Sequence, residues 1–281
     1  MLTTRGSVRP LARADLAAFN ELAEKDPVVN VFALYRARLS NLDPRWLGGE
    51  IWGRFEGRHL VAACHAAANL VPIQASADDA TAFAERALAR RRTASTIVGP
   101  QDAVRVLWDQ LGPQWGRPRE ERWEQRHMVI EGPPAVAPDH GVRAGVRDDL
   151  PTLFPACVSM YTEEVGVSPV DGGAGELYRA RISQLISQGW SFVRYDDGEL
   201  VFKAEVACAT PGAAQIQGVW VPPHRRGEGL ATAGMAAVVH QVRARIAPRV
   251  SLYVNDWNHA ARRAYERVGF VETERFATVM Y

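Results

Sequence analysis

Val219-Trp220-Val221-Pro222-Pro223-His224-Arg225-Arg226-Gly227-Glu228-Gly229-Leu230-Ala231 changes character twice within thirteen residues. A β-branched and aromatic run stops at two prolines, which can neither extend a strand ladder nor continue a helix. A tight basic turn with two glycines follows, and a helix is predicted from about Gly229 to Ile246. Such a turn aims consecutive backbone N–H groups at one point, and the helix N-terminus adds partial positive charge. Gly227 and Gly229 permit positive φ and close approach by a ligand. A pyrophosphate suits such a turn. An ordinary strand–turn–helix, with glycines for geometry alone, suits the segment equally well.

Downstream, Arg249–Val254 is predicted to be a strand, and Asn258 a helix N-cap. Tyr265 lies seven residues after Asn258, two turns on, and so on the same side of the helix. Gly269 marks the helix end. A tyrosine there also suits a core aromatic with its hydroxyl at the rim. Upstream, the pattern predicts a strand near 141–146 and helices near 148–161 and 176–188. Strands near 191–195, 200–207 and 215–221 follow, with Asp196-Asp197-Gly198 as a hairpin turn. Phe270–Tyr281 reads as a last strand. The order is β-α-α-β-β-β-α-β-α-β.

The first half echoes the second. Val8-Arg9 with Arg13, Asp15 and Leu16 repeats as Val142-Arg143 with Arg147, Asp149 and Leu150, an offset of 134 (142 minus 8). Arg54-Phe55, Gly57 and Leu60-Val61 repeat as Arg194-Tyr195, Gly198 and Leu200-Val201. Gln101 through Trp108 to Gly112 parallels Asn258 through Tyr265 to Gly269. Their common order indicates an internal duplication. The proline-rich segment Glu131–Pro138 separates the copies, giving domains over 1–132 and 141–281 with a linker over 133–140.

Two motifs together resemble the GCN5-related N-acetyltransferase (GNAT) superfamily. Arg226 through Ala231 fits its Q/R-x-x-G-x-G/A signature, preceded by Val219 and Val221, and Asn258 through Tyr265 with Gly269-Phe270 fits its second hallmark. The resemblance covers about Gly141 to Tyr281. It implies an α/β fold of two tandem GNAT-like domains, each a mixed, mainly antiparallel sheet flanked by helices. It also implies a transferase that passes an acetyl group from acetyl-CoA to a primary amine. The backbone of Val219, Trp220 and Val221 would pair with the pantetheine arm. The amides of Gly227, Glu228, Gly229, Leu230, Ala231 and Thr232 would hold the pyrophosphate, with Arg226 heading the turn. Asn258 would lie beside the pantetheine, and Tyr265 would protonate the departing thiolate. The amine must be neutral to attack, and Glu205 in Phe202-Lys203-Ala204-Glu205-Val206 is the first candidate base. Glu163 and Glu164 lie where the first helices of the fold cover the acceptor and could bind a cationic amine. Each carboxylate also suits a solvated surface charge.

The first half departs from the signature. Val71-Pro72-Ile73-Gln74-Ala75-Ser76-Ala77-Asp78-Asp79 has no glycine or arginine and carries two carboxylates that would repel pyrophosphate, and Trp108 stands in the place of Tyr265. It reads as a degenerate copy, as in the tandem GNAT proteins of actinobacteria. A net charge of +1 over 281 residues gives no global attraction to nucleic acid or anionic membrane. That argues against a third class, the aminoacyl-tRNA-dependent transferases with tandem domains of this type, which need basic surface. A non-catalytic acyl-CoA sensor would keep the turn but has no use for Tyr265. Basic residues are almost all arginine; Lys25 and Lys203 are the two lysines. Cys64, Cys157 and Cys208 form no CxxC pair and read as buried free thiols, with no metal implied. Met1-Leu2-Thr3-Thr4-Arg5 leads into no apolar signal segment, and no run suffices to span a membrane, so the expected compartment is the cytoplasm. The acceptor, a small-molecule or peptide amine, and the oligomeric state stay open.

Overall fold

The computed structural model describes residues 7–281; the Met1–Arg5 stretch read above lies outside them. The chain runs β1 (Ser7–Pro10), α1 (Leu16–Ala23), α2 (Val31–Ser40), α3 (Pro44–Leu47), β2 (Glu50–Glu56), β3 (His59–Ala66), β4 (Asn69–Ile73), α4 (Ala77–Leu88), β5 (Thr96–Pro100), α5 (Gln101–Trp115) and β6 (Glu120–Ile130). It continues β7 (Arg143–Ala144), α6 (Leu150–Val165), α7 (Gly175–Ser187), β8 (Ser191–Asp196), β9 (Glu199–Ala209), β10 (Ala213–Trp220), α8 (Leu230–Arg245), β11 (Arg249–Asn255), α9 (His259–Val268) and β12 (Val271–Met280).

Two compact units result, and neither is contiguous. One holds the chain up to Met128 with Tyr253–Trp257 and Glu272–Tyr281; the other holds Val129–Leu252 and Asn258–Val271. This differs from the contiguous division at 1–132, 133–140 and 141–281. The cause is pairing: Phe276–Met280 of β12 runs antiparallel to Thr96–Pro100 of β5. Ala277 and Val279 are packed with Ile97, Phe83, Leu107 and Leu111. The expected linker is not a free tether either. Within the second unit, Ala135 N–H donates to Val268 O (2.8 Å), and Asp139 N–H donates to Ala233 O (3.0 Å).

The first unit's strands follow the order β1-β2-β3-β4-β5-β12-β6. β1 to β4 are antiparallel, and β4 to β5 is parallel. Alternation along β2 and β3 loads both faces. Trp52, Ala62 and Cys64 join the cluster with Phe83 and Leu107, whereas Ile51 and Ala63 join Phe19, Leu34 and Leu47. The second unit repeats the plan as β7-β8-β9-β10-β11, antiparallel except for parallel β10–β11. Leu153, Cys157, Ile182 and Leu185 of α6 and α7 pack on Val193 and Leu200 of the sheet. Both units are therefore mixed, mainly antiparallel sheets flanked by helices.

The duplication extends to side chains. In the first unit the Arg9 guanidinium donates to both carboxylate oxygens of Asp15 (2.8 and 2.7 Å) and lies 4.2 Å over the Phe55 ring. In the second, Arg143 donates to both oxygens of Asp149 (2.7 and 2.8 Å) and lies 5.5 Å over Tyr195. Asp15 also accepts from Ala12 N–H, and Asp149 from Val146 N–H. Both β-hairpins carry a bulge at matched places, between Arg54 and Phe55 and between Arg194 and Tyr195.

His65 and His127 are buried in the first unit. Burial holds both imidazoles down to about 4, which keeps them neutral. A histidine whose folded value lies below its unfolded one takes up a proton on unfolding. Stability from these two is thus full above about pH 6.5 and is lost as pH falls toward 4, by about 3 kcal/mol each at the limit. The urea midpoint should fall steeply between pH 6.5 and 4.5, and His65→Asn/His127→Asn should flatten that slope. An equally steep slope in the double variant would assign the loss to other groups.

Candidate active site

β10 and β9 part company at the end that leads into the signature turn. Gln217 faces Glu205 and Trp220 faces Lys203, so β10 spends three steps where β9 takes two. That extra residue is a β-bulge, which leaves backbone groups unpaired and bends the strand. On its other edge β10 pairs with β11 only over Ala213–Gln215. The edge formed by Ile216 to Val221, including candidates Val219, Trp220 and Val221, lies beyond that ladder.

After β10 a short 3-10 turn over Pro223–Arg225 leads to Gly227 (φ 89°) and Gly229 (φ 84°), both left-handed. A Cβ at either would meet nothing within 4 Å. Backbone conformation, not packing, is thus what calls for glycine here. Gly229 is the N-cap of α8, and no side chain caps this helix. Thr232 and Ala233 N–H groups donate to Gly229 O (3.0 and 3.1 Å), which leaves the amides of Leu230 and Ala231 as the open donors of the first turn.

The matched helix of the first unit is closed. Ser76 Oγ accepts from Asp79 N–H (3.3 Å) and Asp79 Oδ2 accepts from Ser76 N–H (3.0 Å). Arg54 Nε lies 2.6 Å from Asp79 Oδ1. A carboxylate already occupies the place an anion would take. The hairpin offset of 140 (194 minus 54) sets His65 against Glu205 and Ala63 against Lys203, so this unit has no corresponding ion pair. Trp108, in the place of Tyr265, sits edge-on to Tyr281 at 6.0 Å.

The turn's charged side chains are committed within the second unit. Arg225 pairs with Asp196 (3.0 Å) and Glu228 (2.9 Å), which fastens the turn to the β8–β9 hairpin. Arg226 Nη2 pairs with Glu163 Oε2 (2.6 Å), and its Nε donates to Val221 O (3.1 Å). The Trp220 indole donates to Glu163 Oε1 (3.2 Å). Glu163 thus links α6 to the turn, a task the sequence did not suggest. Asn258 caps α9, its Oδ1 accepting from Ala261 N–H (3.2 Å).

Tyr265 is buried, edge-on to Phe270 at 6.0 Å. Burial, and then the charge of Glu164, push its hydroxyl above the ordinary phenol range, so it stays protonated at neutral pH. Glu164 is therefore within electrostatic reach of Tyr265. Glu205 is buried on β9, where its Oε1 accepts from Gln217 Nε2 (2.8 Å) and its Oε2 pairs with Lys203 Nζ (3.4 Å). α6 acts electrostatically on both groups, through Glu164 on Tyr265 and through Cys157, two turns earlier on the same face, on Lys203 and Glu205.

Residues 173–270 match the sequence model of the Acetyltransferase (GNAT) family. The chain carries a GNAT domain. That assignment supports an acyltransferase working from an acyl-CoA. Residues 49–153 match a family described as Domain of unknown function (DUF4081), which fits a degenerate first copy. No curated protein sequence matches the chain. Among solved structures, a GCN5-related N-acetyltransferase from Sphaerobacter thermophilus aligns with 100% of this chain and 96% of its own, at 20% identity and a TM-score of 0.63. An acetyltransferase of the GNAT family from Colwellia psychrerythraea aligns over 98% of this chain and 99% of its own, at 11% identity and a TM-score of 0.61. A tandem GNAT protein from the clavulanic acid biosynthesis pathway aligns over 98% of each chain, at 16% identity and a TM-score of 0.57. At such identities the likeness shows the fold, here a tandem GNAT fold over nearly the whole chain.

Within the second unit a shallow cup of about 400 Å³ is lined by Gly141, Arg143, Asp149, Thr152, Arg194 and Tyr195. It contains none of the candidate residues. It is built on the Arg143–Asp149 clasp, whose twin stands in the first unit, and we assign it to fold geometry. Among the described residues no cluster of three or more metal-ligating side chains occurs. No helix among them is long and apolar enough to cross a membrane.

Proposed function

We propose that the chain is an N-acetyltransferase that moves the acetyl group of acetyl-CoA to a primary amine of a small molecule or peptide by direct attack. The observation that carries this is the contrast between the two matched helix ends. α8 begins with an uncapped turn and two left-handed glycines, whereas α4 begins with a closed capping box. An anion has a seat at the first and none at the second, so one acetyl-CoA per chain is expected. The pyrophosphate fits the amides of Gly227 to Ala231, while that of Thr232 is taken by Gly229 O, and the pantetheine fits the open edge at Val219–Val221.

Bound acetyl-CoA supplies an acyl thioester. Glu205, directly or through a water, takes the proton that the amine nitrogen must lose as it bonds to the carbonyl carbon. Tyr265 gives its hydroxyl proton to the sulfur as the carbon–sulfur bond breaks. Glu164, on the acceptor-covering helix and near Tyr265, draws a cationic amine toward the site. Glu163 is already paired with Arg226, so its earlier place as a substrate contact gives way to holding the turn. The first unit binds no acyl-CoA in this scheme, and reaction takes place in the cytoplasm without a metal.

The test is calorimetry with acetyl-CoA, followed by thiol release across a broad panel of amines. Binding at one site per chain with turnover of some amines is the expected result. Absence of acetyl-CoA binding would overturn the proposal. Tight binding with no turnover on any amine would favour a sensor instead, and two sites per chain would show that the first unit is not degenerate.

A further inference from the structure

Lys203 is one of two lysines in a chain otherwise furnished with arginine, and it is fully buried on β9. Its Nζ donates to Gly218 O (3.0 Å) and lies 3.4 Å from Glu205 Oε2. The Cys157 thiol of α6 is close enough to interact with it electrostatically. Two of its donors thus meet the bulge carbonyl and the carboxylate, which lie in different directions from one nitrogen, a match that suits a compact ammonium and not the planar fork of a guanidinium. Burial pulls this ammonium down, but the adjoining Glu205 and Cys157 outweigh it and leave it above the ordinary lysine value. Cys157 is itself pushed up to about 11 by burial and is a neutral thiol near pH 7, so Glu205 is the partner that matters there.

The carbonyl that Lys203 holds belongs to the bulge. Gly218 has φ 62°, and a Cβ on it would sit 3.0 Å from Lys203 Nζ, 3.2 Å from Glu205 Cδ and 3.2 Å from Met160 Cε. The glycine is thus required both by backbone conformation and by the approach of the lysine. The groups facing Glu205 are Lys203 on its own strand, Gln217 on β10, Cys157 on α6 and Tyr178 on α7.

We propose that Lys203 is a positioning residue: its buried ammonium clamps the Gly218 carbonyl of the β10 bulge to the Glu205 carboxylate, fixing the strand's geometry relative to the proton acceptor. That the clamp serves acyl transfer rests on the acetyltransferase proposal above; the clamp itself does not. Lys203 touches no reacting atom, and it acts through the bulge and through Glu205.

Two variants of the full chain test it. Lys203→Met strands a buried carboxylate without its cation and is expected to be destabilised. Lys203→Met/Glu205→Gln replaces both charges with groups of similar size and should recover folding, while the bulge carbonyl stays unclamped. In the double variant, amides of Gln217–Trp220 should exchange with deuterium at least about tenfold faster than in wild type, with the rest of β10 unchanged. With turnover in hand, Lys203→Met should also lower kcat by about tenfold or more with a smaller change in KM, because the misplaced carboxylate acts on the chemical step. Wild-type exchange rates at the bulge in a folded double variant would overturn the clamp. A wild type that acetylates no amine would instead overturn the acetyltransferase proposal, and the exchange measurement would still decide the clamp.

Discussion

Tyr265→Phe is expected to leave acetyl-CoA affinity nearly unchanged and to lower kcat by about 10²–10⁴-fold, the range of a lost general acid. The substitution keeps the ring, which is buried and packed edge-on against Phe270. The backbone role of Tyr265, whose carbonyl accepts from Gly269 and Phe270 N–H groups at the end of α9, is untouched. What goes is one hydroxyl whose proton is held firmly at neutral pH by burial and by the charge of Glu164. Burial weakens the phenol as an acid, but the same burial raises the proton affinity of a thiolate forming beside it, so transfer between the two stays feasible. The loss should fall on kcat and not on KM, because the interaction is made mainly as charge develops on sulfur. Steady-state kinetics on the best amine of the panel measures both. A loss below about tenfold would return Tyr265 to a packing role.

Local chemistry made much of the fold legible. Asp196-Asp197-Gly198 has the composition of a hairpin turn, and Asp197 (φ 45°) and Gly198 (φ 84°) adopt the left-handed pair that such a turn needs. Gly269, read as the end of a helix, is the left-handed C-cap of α9, and Asn258 is its N-cap. The repeat at offset 134 reported a real structural unit, because an Arg–Asp clasp six residues wide is written in contiguous sequence. Long-range choices were not legible. β12 has the sequence of a strand, but nothing in that sequence says that its partner is β5, more than 170 residues earlier. The place of Glu163 on α6 suggests an acceptor contact, but sequence carries no sign of the side chain that reaches it from Arg226, 63 residues away. Lys203 carried one usable signal, a rare lysine two residues before the candidate base on the same face of a strand. Its link to Gly218 required the bulge, which no spacing rule foretold.

Gly229→Asp should weaken acetyl-CoA binding by about 1–3 kcal/mol, a loss of roughly 5–150-fold in affinity, from the repulsion of a carboxylate set beside the pyrophosphate and partly screened by solvent. The same change should do the free protein little harm. Aspartate is a favoured N-cap and sits well at the positive end of a helix dipole, and the space around Gly229 is open. Left-handed φ at this residue adds strain of about 1–2 kcal/mol, which opposes the capping gain. Gly229→Ala carries that strain without the charge, so comparing the two variants by calorimetry isolates electrostatics from geometry. The difference between them should shrink as salt rises, because exposed charges are screened within about 8–10 Å near physiological ionic strength. The first unit already closes its matched helix end with a carboxylate, that of Asp79 three residues after the N-cap Ser76 of α4. Gly229→Asp therefore asks whether one carboxylate is enough to convert an open helix end into a closed one. Unchanged affinity in that variant, with melting behaviour like that of the wild type, would remove the pyrophosphate from the start of α8 and the enzyme proposal with it.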